Sequence, residues 1–130
     1  MTDPSPTRPK PVPVDLPVAR PERVIVALST APDLEQARRI AHVLVEEHLA
    51  ACVNLLGSME SIYLWQGKTE QSAEVGLIIK TTRTRFPALE RRLRAIHPYE
   101  LPELIGWDID AGSVAFIDWV IAQSRAPRTS

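Results

Sequence analysis

The chain has 130 residues, enough for one domain and one site system but not for a cofactor domain beside a substrate domain. Its 45% hydrophobic and 24% charged residues support a packed core, which excludes a wholly disordered or fibrous chain. Lys and Arg total 15 against 16 Asp and Glu, a net charge of -1, so affinity built on nucleic-acid phosphates is disfavoured.

Residues 1–22 hold seven of the 12 prolines and neither a glycine nor an aromatic residue, which predicts a disordered proline-rich tail sampling extended and polyproline II conformations. The tail contains no apolar run of the length a secretory signal or a membrane helix needs, and no membrane role is expected. Pro6 and Pro9 form a PxxP pair with Arg8 and Lys10 beside it, a pattern that docks aromatic grooves and that any proline-rich segment also meets by chance.

Residues 24–28, VIVAL, read as a strand buried on both faces. Asp33, with Gln36 three positions on, caps a helix in which Leu34, Ala37, Ile40, Ala41 and Leu44 form one stripe, ending near His48. Residues 50–65 predict a strand bent or bulged near Gly57, and Gln66, Gly67 and Lys68 turn the chain. Residues 74–82, EVGLIIKTT, return as a strand with Val75, Leu77 and Ile79 on one face and Glu74, Gly76, Ile78 and Lys80 on the other. Thr84 is positioned to cap a second helix lined by Phe86, Leu89, Leu93 and Ile96, closed by His97 and Pro98. Residues 104–109 supply a last strand, and Ser113 caps a terminal helix that turns Ile117, Val120 and Ile121 inward.

The order βαββαβ followed by α is that of a ferredoxin-like split βαβ sandwich, an α+β fold occupying residues 23–125, with 126–130 as a second disordered tail. One copy offers only the terminal helix to cover the second sheet face, and the hairpin exceeds what four strands require. Its edges should therefore pair with other subunits in a homo-oligomer.

The catalytic inventory is thin, with no GxSxG, HExxH, GxGxxG or P-loop pattern and five glycines in all, so an enzyme is not expected. Cys52, the only cysteine, rules out an intrachain disulfide or CxxC pair, fits a reducing cytoplasm and reads as a core thiol among apolar neighbours. His97 lies close to Glu100 and Glu103, a pairing suited to copper or zinc, and it is equally placed to satisfy the last helical carbonyls. His42 and His48 fall on different helix faces and read as surface residues. Arg83, Arg85, Arg91, Arg92 and Arg94 read as a solvated helix face, and Trp65, Trp107 and Trp119 as core or subunit contacts.

Thr30, Ala31, Pro32 and Asp33, the segments LAACVN at 49–54, YLWQGK at 63–68, LIIKTT at 77–82 and HPYELPE at 97–103 together resemble the CutA divalent-cation tolerance family. The resemblance spans about residues 24–124. It implies a ferredoxin-like protomer in a homotrimer joined through the long hairpin, a cytoplasmic, non-enzymatic protein linked to copper tolerance and able to bind copper(II). In some members a cysteine stands at the position of Ser29 and a second histidine at that of Ile96, so His97 and Glu103 are the metal ligands the resemblance carries over. The alternative is a regulatory or scaffolding trimer that takes a small anionic metabolite or a protein in its intersubunit clefts, lined by Cys52, Glu74, Lys80 and Tyr99. An acylphosphatase-like hydrolase shares the element order, but TAPD follows the first strand where that chemistry needs a phosphate-binding loop.

Overall fold

The computed structural model describes residues 22–127; the predicted tails lie almost entirely outside that range, and the PxxP pair wholly so. The elements are β1 (Val24–Ala31), α1 (Leu34–Glu46), β2 (Cys52–Trp65), β3 (Lys68–Thr82), α2 (Phe86–Ile96), β4 (Leu104–Asp108) and α3 (Val114–Gln123), in the order predicted. They build an α+β fold around one antiparallel sheet of order β2-β3-β1-β4, with β1 and β3 in the middle.

Cross-strand register fixes which residues share a face. On one face Ala27 opposes Ile79 and Ser29 opposes Leu77, and α1 and α2 cover this layer with Ala37, Ile40, Leu44, Leu89 and Leu93, all fully buried. On the other face Val26 opposes Lys80 and Trp107, and Leu28 opposes Ile78 and Ile105. There α3 buries Val120 against Val24 and Ala51, with Phe116 and Trp119 stacked at 5.7 Å, while Ile105 and Trp107 stay more than half exposed. Of the three tryptophans only Trp119 therefore joins a core within the protomer.

The caps show where local chemistry was legible. Asp33 Oδ1 accepts from the Gln36 amide at 2.8 Å, starting α1, and Ser113 Oγ accepts from the Phe116 amide, starting α3. Thr84 does not cap α2: the cap residue is Arg85, in helical conformation without a side-chain cap, and the Thr82 hydroxyl accepts its amide instead. The proline in the first turn of α2 supplies the start, since it has no amide to satisfy. Leu34, placed on the buried stripe, is instead 43% exposed at the first residue of α1.

The hairpin is longer than the sequence indicates, because β3 begins at Lys68 rather than Glu74. Residues 68–73 carry no apolar alternation and are held by cross-strand pairing, with Tyr63 opposite Glu70 and Trp65 opposite Lys68, and by side-chain bonds from Gln71 to Glu60 and between Tyr63 and Ser72. Gln66 and Gly67 both take positive φ, 51° and 80°, as a two-residue hairpin turn of the primed kind requires. The expected bulge falls between Leu56 and Ser58. Cys52 is not a core thiol. It is half-buried at the start of outer strand β2, opposite Lys80, with its Sγ 3.8 Å from Asn54 Oδ1.

Candidate functional site: an acidic, aromatic cleft

Where β1, β3 and the end of α2 meet, a run of hydrogen bonds fixes the chain. His97, 8% exposed, donates from Nε2 to the Thr30 carbonyl at 2.7 Å and accepts the Tyr99 amide at Nδ1, 3.0 Å. Acceptance at Nδ1 places the ring proton on Nε2, so one neutral tautomer satisfies both bonds. The Tyr99 ring packs against the imidazole at a 53° tilt, centroids 4.9 Å apart, and its hydroxyl donates to Glu74 Oε2 at 2.9 Å. Burial, and then the Glu74 carboxylate beside it, hold the Tyr99 phenol well above its ordinary range. Ser29, fully buried, donates to the Glu103 carbonyl at 2.7 Å and ties the approach to β4 onto β1.

Above this seam opens a cleft of about 680 Å³, floored by Thr30 and Glu74 and walled by residues 98–105 and by the hairpin arm at Tyr63, Leu64 and Trp65. Glu74, Glu100 and Glu103 are among the residues that line it, and the lining holds no lysine, arginine or histidine. Three aromatic rings, Tyr63, Trp65 and Tyr99, share it. Volume and mixed lining fall in the range of small-molecule and peptide-side-chain sites.

The structure sorts the residues expected from sequence. Glu74 and Tyr99 line one cleft and bond to each other, and Glu103 joins them. Lys80 and Cys52 do not: six residues along β3 separate Lys80 from Glu74, roughly 20 Å of strand, and Lys80 Nζ bonds to Asn54. His97 lies behind the cleft and not on it, its two ring nitrogens spent on backbone groups. Glu103 is hydrogen-bonded, among the described residues, only through its carbonyl. Among the described residues no three His, Cys, Asp or Glu gather as metal donors, so neither the His97 and Glu103 pair nor Glu74, Glu100 and Glu103 of one protomer makes a metal site by itself.

The remaining candidates are structural. Arg92 makes a two-pronged pair with Glu47, at 2.9 Å to each oxygen, which holds the Glu47 carboxyl below its usual range, and the Arg85 guanidinium donates to the Glu47 and His48 carbonyls. These arginines lash α2 to the end of α1. His42 and His48 are exposed as expected, beside Glu46 and the Gln123 carbonyl. Sequence reasoning missed Tyr63 and Trp65 as lining groups. Their signal was the turn at Gln66 and Gly67, which, read with the alternation of residues 63–65, sends both rings to the face that carries Glu74.

Comparison with known proteins fits this geometry. The family of the CutA1 divalent ion tolerance protein matches residues 25–123. The divalent-cation tolerance protein CutA of Thermus thermophilus is 46% identical over 95 residues, 73% of this chain and 92% of that protein. Mouse protein CutA is 42% identical over 100 residues, 77% of this chain and 56% of the relative. A solved structure described as the periplasmic divalent cation tolerance protein CutA of Archaeoglobus fulgidus superposes with a TM-score of 0.75 at 35% identity, covering 78% of this chain and 99% of that one. Fold, motifs and the family match over residues 25–123 agree: this chain belongs to the CutA1 divalent ion tolerance protein family.

Proposed function

We propose that this chain works in the cytoplasm as a non-enzymatic homotrimer that binds copper(II) or a similar divalent cation, and that it does so at the cleft rather than at His97. The observation that carries the reading is the charge of that cleft, with three glutamates and no basic residue in its lining. Such a lining attracts a cation through oxygen donors and repels a small anionic metabolite, so the cation is favoured over the anionic ligand. The cation is cargo here. One protomer leaves its donor set incomplete, and water or a neighbouring protomer completes it. Trimer formation is supported by the unpaired outer edges of β2 and β4 and by apolar Leu56, Ile105 and Trp107, exposed on the sheet face that α3 only partly covers.

Native mass spectrometry of the full chain titrated with copper(II) tests both halves. The expected result is three protomers that take up copper, with uptake lost in Glu100→Gln/Glu103→Gln and retained in Lys80→Ala. A trimer that stays metal-free overturns the cation half, a monomer overturns the assembly, and loss of copper in His97→Gln alone returns the site to the imidazole.

A further inference from the structure

The end of α2 lacks the device that commonly closes a helix. No glycine follows Ile96, the cap residue His97 is extended at ψ 139°, and Pro98 has no amide to return to a helical carbonyl. The His97 amide satisfies Leu93, and the Ile96 carbonyl is taken from the neighbouring helix: Arg39 of α1 donates to it from Nη2 at 2.7 Å. The guanidinium is itself fixed, because Gln36 Oε1 accepts from Arg39 Nε at 3.0 Å and from Nη2 at 2.6 Å, and the Gln36 amide is held by the Asp33 cap. From Ile96 the chain passes straight to His97, whose Nε2 donates to the carbonyl of Thr30, three residues before Asp33. Backbone and hydrogen bonds therefore close a circuit, from the turn after β1 along α1, across to the end of α2 and back to β1. Tyr99 is attached to it through His97 Nδ1, and the segment that follows is tied at its far end by Ser29 to the Glu103 carbonyl. The far tie is fully buried, whereas Arg39 is exposed. No member of the circuit lies on β2 or β4, so one protomer holds it complete.

We propose that Arg39 is a positioning residue for the cleft: by holding the Ile96 carbonyl it fixes where α2 stops, and through His97 it sets the segment on which Glu100 and Glu103 stand. That these glutamates serve a divalent cation rests on the reading above; that Arg39 sets their segment does not. Arg39 is not part of the cleft lining and acts only through the residues between. What the position requires is one donor group that reaches two acceptors, Gln36 Oε1 and the Ile96 carbonyl. A lysine ammonium, with three donors, meets that requirement in kind, and a methionine of similar length does not. Both are good helix formers, so a role limited to supporting α1 would be filled equally by either.

The test uses the full-length chain and reads hydrogen exchange at the Tyr99 amide, which His97 Nδ1 accepts. Arg39→Met should speed that exchange roughly three- to tenfold, the range for losing one partly solvated hydrogen bond. The amides of Leu77 and Ile79 in the middle of the sheet should keep their rates. Arg39→Lys should stay near wild type. Gln36→Leu leaves the Asp33 cap on its amide intact and should speed Tyr99 by less than Arg39→Met; added to Arg39→Met it should change nothing further, since Gln36 acts through the guanidinium. A Tyr99 rate equal in Arg39→Met and wild type overturns the positioning, and so does equal acceleration by the Met and Lys variants. Native mass spectrometry of the same variants with copper(II) separates this proposal from the cation reading. Three protomers should persist in each, and Arg39→Met should take up less copper than Arg39→Lys. If Tyr99 exchange rises in Arg39→Met and copper uptake does not change, the positioning stands and the cation reading at Glu100 and Glu103 falls. If copper uptake falls while Tyr99 exchange never moves, the positioning falls and the cation reading stands.

Discussion

The two faces of the sheet are built from similar residues and treated differently. On the helix face, Ala27, Leu77 and Ile79 are fully buried under α1 and α2. On the opposite face, Val26, Leu28 and Ile78 are only half-buried, and Ile105 and Trp107 are 56% and 51% exposed. Apolar content therefore does not distinguish core from surface here; the presence of a covering layer does. One face holds the protomer together, and the other leaves apolar area exposed.

The largest expected effect breaks that comparison most directly. Leu77→Ala empties a fully buried site between strands and helices, and urea unfolding should show a loss of about 2–5 kcal/mol. Trp107→Ala should leave protomer unfolding nearly unchanged and instead shift assembly toward smaller species in sedimentation. Equal loss of stability from both substitutions would mean that the second face is also a core of the single protomer.

The order of elements, the caps at Asp33 and Ser113 and the helix-facing stripes were legible because each rests on a local period or a local hydrogen bond. The length of the hairpin was not. Residues 68–72 are polar on both faces and become a strand only because residues 61–65 run beside them. The site was legible in part. Glu74, Tyr99 and Glu103 emerged as candidates, and the structure places them on one cleft, but spacing alone cannot reveal that both nitrogens of His97 are already spent on Thr30 and Tyr99. Lys80 was grouped with Glu74 because the alternation of residues 74–82 puts both on one face, although six positions separate them by roughly 20 Å along the strand.

A second, smaller effect sharpens the contrast between framework and cleft. His97→Gln cannot reproduce the two opposed bonds of the imidazole, and a buried carbonyl or amide left unsatisfied costs about 1–3 kcal/mol. Amide hydrogen exchange should show residues 98–103 opening before the sheet, with the β1–β3 pairing still protected. A loss spread evenly over the whole chain would place His97 in the global core and not in a local seam.

The smallest effect comes from Tyr99 and its sign follows from linkage. Its phenol is held above its ordinary value in the folded chain by burial and by Glu74. As pH rises beyond the unfolded phenol's value near 10, the unfolded chain releases that proton while the folded chain keeps it. Stability therefore falls with rising pH in that window, and the contribution is fully present below it. Melting temperatures measured between about pH 8 and 11 should decline less steeply in Tyr99→Phe than in wild type. Glu74→Gln should lie between the two, since it removes the neighbouring charge but leaves the burial, which is the larger cause. If Glu74→Gln flattened the profile as fully as Tyr99→Phe, the carboxylate and not burial would dominate, and the cleft floor would be wetter than its 7% exposed glutamate implies.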